Sequence, residues 1–276
     1  MNQQQKATRF RALHDNPSAF VIPNPWDEGS ARILASMKFE ALATTSTGLA
    51  HSLGLRDGSV SRDKVLTHCQ SIVASTDLPV SADLENGYGN KPEDVAETIE
   101  LAVETGIVGC SIEDYTNQPD DPIFDLNLAV ERIHAAVEVK ENFRHDFVLT
   151  ARCENYVWGR KDLDDTIKRL QAFESVGADV LYAPGLHDLD TIRTICGALS
   201  KPVNVVIEMP NTKLRLKDLE DAGAKRISIG SVLFLTAYGA FVRAAAEMKE
   251  LGTFKFASDA IGFSELEDIF SKFKES

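Results

Sequence analysis

The sequence predicts an α/β protein folded as a single TIM-type (β/α)8 barrel with extra C-terminal helices. Three observations carry this. Short apolar runs rich in β-branched residues alternate with amphipathic helical stretches; glycine junctions recur just before those runs; and no Pro/Gly/Ser-rich linker divides the 276 residues, a length close to the roughly 250 typical of one barrel.

The predicted strands are AFVIPN (19–24), EALATT (40–45), PVSAD (79–83), IVGCSIED (107–114), FVLTARC (147–153), DVLYAP (179–184), PVNVVIE (202–208) and RISIGS (226–231). Their short apolar character suits strands covered on both faces. Between them, NKPEDVAETIELAVETG reads as a helix with Asn90 as N-cap, Pro92 in the first turn, Glu93 at the capping-box position and a stop at Gly106. DLDDTIKRLQAFESVGAD repeats the pattern and ends at Gly177, and Gly223 marks a third such junction. No dinucleotide glycine fingerprint follows the first strand, which favours a closed barrel over an open doubly wound sheet. The domain spans 1–276, with 240–276 as a helical extension expected in an oligomer interface.

Bulk properties exclude several classes of function. A net charge of −13 disfavours nucleic acid and anionic membrane as partners. No apolar run approaches the roughly 20 residues of a membrane span. The opening MNQQQKATRFRALHDNP has no export-type apolar stretch, and Cys69, Cys110, Cys153 and Cys196 form no CxxC pair. Both features fit a reducing cytoplasm.

Active sites of such barrels lie at the C-terminal strand ends. Strand three delivers Asp83 and Glu85 there, strand four Glu113, strand five Arg152 and Glu154, strand seven Glu208. Period-two alternation puts Asp83 with Glu85, and Arg152 with Glu154, on common faces and turns Cys153 away. Crowded carboxylates repel, and a hard divalent cation relieves them; Mg2+ suits a site of few carboxylates that keeps waters and takes substrate oxygens. Arg152 serves either as a counter-ion or as a clamp for a substrate carboxylate. The small-residue turn Thr45–Ala50 can offer N–H groups and hydroxyls to an oxyanion. Ser231 reads as a helix N-cap and His187 as a helix-start residue. No GxSxG, HExxH or P-loop motif occurs.

These residues resemble, over essentially the whole chain, the phosphoenolpyruvate mutase/isocitrate lyase superfamily. The matching stretches are NPWDEGSARILASMKFEALATTSTGLAHSLGLRDG, SADLENGYGN, SIEDY, LTARCENYV and GAKRISIGS. The resemblance implies a Mg2+-dependent enzyme, with Mn2+ as a substitute, that makes or breaks C–C or C–P bonds beside an oxo-acid carboxylate. It implies that Asp83, Glu85 and Glu113 hold the metal and that Thr47, Gly48, Leu49 and Arg152 bind substrate; Glu208, at the end of strand seven, is expected to join them in binding substrate. Arg152, Glu113 and Asp57 are the residues it places at the chemistry. It also implies a homotetramer or homodimer with an exchanged C-terminal helix.

The departures from the family pattern concern the segment after strand four and the end of strand six, where Ala183-Pro184-Gly185 stands in place of the histidine of phosphonate-handling members. Isocitrate-type lyases carry a K-[KR]-C-G-H loop after strand four, whereas this chain has YTNQPDDPIFDLN, without cysteine, histidine or lysine. Phosphonate-handling members use a lysine with Asn or Ser, and here Asn117 alone remains beside an acidic PDDP. The expected activity is therefore C–C cleavage or decarboxylation of a small 2-oxo acid through a metal-stabilised enolate. The alternatives are a phosphonopyruvate-directed mutase or hydrolase, and a barrel that binds an oxo acid without turning it over.

Overall fold

A computed structural model of the chain describes residues 1–209 and 213–273. Eight parallel strands form one sheet in the order β1-β8-β7-β6-β5-β4-β3-β2. They are β1 (Phe20–Ile22), β2 (Leu42–Ala43), β3 (Val80–Asp83), β4 (Gly109–Glu113), β5 (Val148–Arg152), β6 (Val180–Tyr182), β7 (Val203–Val206) and β8 (Arg226–Ser228). Each lies inside its predicted run. The β1/β2 seam has no ladder. Pro23 and Pro25 lack an N–H to build one, so the seam is held by Ala43 N–H donating to Pro23 O at 3.1 Å and Asn24 Nδ2 to Thr44 O at 3.0 Å. The barrel is thus nearly closed, as predicted.

Helix α1 (Gln3–Asp15) covers the N-terminal end of the barrel, where Phe10 and Leu13 join Phe20, Ile22, Val108, Val148 and Val180 in one apolar cluster. The main core lies between the strands and α2 (Glu28–Ser36), α3 (Ser46–Ser52), α4 (Arg62–Ser75), α5 (Pro92–Val103), α6 (Leu126–Glu141), α7 (Leu163–Ser175), α8 (Leu189–Gly197) and α9 (Leu216–Asp221). Gly106, Gly177 and Gly223 sit at φ of +91°, +105° and +97°, so the chain turns from helix to strand through backbone states that side chains resist. The start of α5 differs from expectation. Its N-cap is Lys91, whose N–H donates to Asp94 Oδ2 at 2.9 Å, because Pro92 occupies N1 and shifts the box one residue along.

Helix α10 (Val232–Leu251) leaves the barrel with only Phe234 buried, while Tyr238, Phe241 and Val242 are exposed. Helix α11 (Phe263–Phe270) packs on α2 of the same chain, with Arg32 over the Phe273 ring at 5.9 Å. The last three residues of the 240–276 extension lie outside the described residues. No described helix is long and apolar enough to cross a membrane.

Candidate active site

The C-terminal ends of the strands surround a cavity of about 390 Å3. Thr47, Asp57, Asp83, Glu85, Glu113, Arg152 and Glu208 all line it, from six separate stretches of chain. Gly48 and Leu49 do not. They lie in the first turn of α3, where Gly48 N–H donates to Thr45 Oγ1 at 3.2 Å and Leu49 N–H to Thr45 O at 3.0 Å. Only the leading edge of that turn, Thr45 to Thr47, faces the cavity.

Asp83 closes β3. Its Oδ2 accepts from Ser46 Oγ at 2.9 Å and Ser46 N at 3.3 Å, and its Oδ1 from Glu85 N at 3.3 Å. Glu85 reaches the same cavity by a route other than strand alternation, since its φ of +50° is left-handed. A turn, and not a continued strand, returns its side chain to the mouth. That turn is held from behind. Arg132, fully buried on α6, donates to Gly89 O at 2.8 Å and to Asn86 O, while Asn86 Nδ2 donates to Tyr115 O at 3.0 Å.

Arg152 ends β5 and is held by two carboxylates. Nη1 lies 3.3 Å from Glu113 Oε2, Nε contacts Glu154 Oε1, and the guanidinium stands 5.2 Å over the Tyr182 ring. Burial works against the Arg152 charge, but Glu154 and Glu113 outweigh it and keep the group cationic. Behind this pair, Asp114 Oδ1 accepts from Glu154 N at 2.8 Å and Oδ2 meets Arg169 at 3.2 Å, both side chains being buried. Thr47 Oγ1 donates to Asp57 Oδ2 at 2.7 Å.

The wall carries an acidic excess. Burial, then Asp83 and Asp57, push the Glu85 carboxyl up to about 8, against a smaller opposing effect of Arg152. Burial holds Glu113 well above the usual carboxylate range; Arg152 opposes this while Glu154, Asp83 and Glu85 add to it. Among the described residues, no three His, Cys, Asp or Glu side chains close into a ready ligand set. The acids stand around the open cavity instead. Mg2+, which keeps several waters and takes one or two carboxylates directly, fits such a wall, and Asp83 and Glu85, two residues apart at the end of β3, are the carboxylates that would hold it.

Reading the sequence alone missed the aromatic side of the cavity. Tyr115 and Trp158 stack with centroids 4.1 Å apart and planes 10° from parallel, and Tyr182 forms the floor beside Arg152. Gly230 and Ser231 also line the cavity, and Ser231 is the N-cap residue of α10, as predicted, though without a side-chain cap bond. Tyr115, two residues beyond Glu113, was open to the same alternation reading; Trp158 lies in a loop that no periodicity describes. Cys153 is buried away from the cavity, as predicted.

Comparison with known proteins agrees with this fold. A provisionally assigned lyase/mutase from Burkholderia cenocepacia J2315 is 52% identical and superimposes with a TM-score of 0.95, covering 98% of this chain and 96% of that one. The 2-methylisocitrate lyase of Escherichia coli (strain K12) is 28% identical over 211 residues, 74% of this chain and 70% of that protein. A phosphonopyruvate hydrolase solved with oxalate and Mg2+ shares the fold at 20% identity, with a TM-score of 0.85 over 99% of this chain and 96% of that one. The family described as phosphoenolpyruvate phosphomutase matches residues 10–249. The chain therefore belongs to the phosphoenolpyruvate phosphomutase family, within the phosphoenolpyruvate mutase/isocitrate lyase superfamily of enzymes.

Proposed function

We propose that this chain is a Mg2+-dependent enzyme that cleaves a C–C bond of, or decarboxylates, a small 2-oxo acid by way of an enolate. One observation carries the reading. The cavity sets a single guanidinium, Arg152, against an acidic wall, and among the described residues no His, Cys or Lys lines it. A bound Mg2+ supplies the Lewis acid that stabilises negative charge on the oxo oxygen. Arg152, fixed by Glu113, Glu154 and Tyr182, offers a positioned cation to the substrate carboxylate. Thr47 orients Asp57 toward the mouth. Glu85, Glu113 and Glu208 are the carboxyl groups able to take a proton from, or return one to, the reacting carbon or a water. Cytoplasmic residence and a homotetramer or homodimer belong to the same reading, and the exposed apolar residues of α10 supply a surface for the latter.

A second reading, C–P chemistry on phosphonopyruvate, draws on the lyase/mutase likeness. Against it stand Asp120 and Asp121 in the loop after β4, which repel a phosphonate.

The test is a turnover panel of oxaloacetate, phosphonopyruvate, isocitrate, methylisocitrate and simple 2-oxo acids with Mg2+, each repeated with EDTA. EDTA-sensitive C–C cleavage is expected, falling about a hundredfold or more in Asp83→Ala. Full activity in that variant overturns the metal assignment. Phosphate or phosphoenolpyruvate from phosphonopyruvate moves the assignment to the second reading, and metal-dependent binding without turnover moves it to a binding role.

A further inference from the structure

The cavity is unusually poor in positive charge for a site that would take a multiply charged acid. Six carboxyl groups line it, those of Asp57, Asp83, Glu85, Glu113, Glu154 and Glu208, against the one guanidinium of Arg152. Arg152 is already shared between Glu113 and Glu154. A divalent cation at Asp83 and Glu85 leaves the carboxyl groups in excess, and one substrate carboxylate exhausts what Arg152 can offer. The loop over the mouth adds no cation. Residues 115–123 contain Asp120 and Asp121 and no Lys, Arg or His. This loop lies against the Asp57–Gly58 turn, with Asn117 Oδ1 4.0 Å from where a Cβ on Gly58 would be. Of the cations in the flanking loops, Arg160 pairs with Asp165 at 3.1 Å and Arg215 with Asp218 at 2.6 Å, and Arg56, Lys161 and Lys213 do not line the cavity.

The rest of the lining divides into a polar side, Thr45, Ser46, Thr47, Asn117 and Ser231, and an apolar one. The stacked Tyr115 and Trp158 rings adjoin Val157, and Val206, Ile229 and Val232 also contribute. Trp158 is 38% exposed and Val157 47% exposed, large apolar surfaces at the mouth that an apolar substrate portion would cover. Beyond Arg152 and a bound metal, a second carboxylate or a phosphonate would meet hydroxyl and amide groups but no further cation among the described lining residues.

We infer that the substrate of this cavity is a 2-oxo acid carrying a single carboxylate, whose far half is uncharged and packs on the Tyr115–Trp158 wall. The inference rests on the metal-assisted C–C reading and narrows it. A β-oxo acid decarboxylation needs a second carboxylate on the substrate and a hydrolytic cleavage needs a water as co-reactant, so the cleavage that needs the substrate alone is of the retro-aldol type on a 4-hydroxy-2-oxo acid. A carboxylate of the mouth takes the 4-hydroxyl proton, the C4–O bond becomes a carbonyl and the C3–C4 bond breaks. Its electron pair forms the C2–C3 double bond of the enolate as the charge passes to the oxo oxygen. The aldehyde leaves, and the same proton returned to C3 completes the smaller 2-oxo acid. No oxidant, reductant or second substrate enters.

The test is a matched pair of unreactive ligands of equal chain length, 2-oxopentanoate and 2-oxoglutarate, titrated calorimetrically into the full chain with Mg2+. The singly charged ligand is expected to bind at least about tenfold more tightly, a difference of about 1.4 kcal/mol. Val157→Lys, which sets an ammonium on the exposed wall, is expected to bring the ratio to one or below. Equal or tighter binding of 2-oxoglutarate by the unaltered chain overturns the inference, whatever the turnover panel yields. A ratio unmoved by Val157→Lys likewise overturns the placement of the far half on this wall. Turnover is followed on 4-hydroxy-2-oxopentanoate against 4-hydroxy-2-oxoglutarate, by release of pyruvate from the former and pyruvate with glyoxylate from the latter. Preference for the former is expected. Selective, metal-dependent binding of 2-oxopentanoate with neither compound cleaved preserves the charge assignment and removes the retro-aldol step, so the two failures are distinct.

Discussion

Arg132 is the residue on which the geometry of the acidic mouth most depends, although it touches no part of the cavity. Its side chain is fully buried, lies over the Phe124 ring at 4.3 Å, and donates to Asn86 O, to Gly89 O at 2.8 Å and to Lys91 O at 3.4 Å. Those carbonyls belong to the loop that follows Asp83 and Glu85. The loop holds two non-glycine residues in the left-handed region, Glu85 at φ +50° and Tyr88 at φ +62°, each an intrinsic cost of about 1 kcal/mol or more. Arg132→Met keeps much of the packing and removes all three donors. Hydrogen bonds to a charged group contribute about 1.5–3 kcal/mol each, the longest least, and part is offset because the guanidinium no longer has to be desolvated. The expected net loss is about 4 kcal/mol. At about 2–4 °C per kcal/mol for a chain of this class, that lowers Tm by roughly 8–16 °C. Urea unfolding gives the free energy, and calorimetric titration with Mn2+ gives the effect on the mouth, expected as an affinity loss of about tenfold or more. Arg132→Lys, with a point charge in place of a planar fork, should recover part of both. A loss below about 1 kcal/mol together with unchanged Mn2+ affinity would refute the argument that this clamp shapes the site.

Two further predictions follow from buried charge. The Glu85 carboxyl is pushed from its ordinary 4.5 up to about 8, so the folded state holds a proton that the unfolded chain releases. Stability of the metal-free protein should therefore fall as pH rises from about 4.5 to 8, and Glu85→Gln should flatten that slope in thermal melts; an unchanged slope in the variant sinks the assignment. The Asp114–Arg169 pair is buried at 3.2 Å and supports Glu154 through its backbone N–H. Asp114→Asn, which leaves the Arg169 cation without its charge partner there, should cost about 3–5 kcal/mol in chemical unfolding. A cost under 1 kcal/mol would show that Asp165 alone suffices for Arg169.

Much of this protein is determined by local pattern. Each strand falls within a run visible in the sequence because a parallel barrel strand is buried on both faces and must read as a continuous apolar stretch. Gly106, Gly177 and Gly223 are legible because left-handed junctions admit few other residues. Asp83, Glu113, Arg152 and Glu208 are legible because the ends of barrel strands face one mouth, and period two decides which side chains look inward. What depends on residues distant in the chain was beyond that reading. The alternation argument placed Glu85 correctly by the wrong route, since a left-handed turn clamped by Arg132 on another helix returns it to the cavity. The engagement of Gly48 and Leu49 within α3 depends on where that helix begins. The stacking of Tyr115 on Trp158 joins two loops whose conformations have no period. Arg226 is buried in the barrel and donates to Asn204 at 2.8 Å and Thr150 at 2.9 Å, partners on two other strands that no local pattern reveals. Periodicity reports which face a residue takes; only packing across the barrel decides what it meets there.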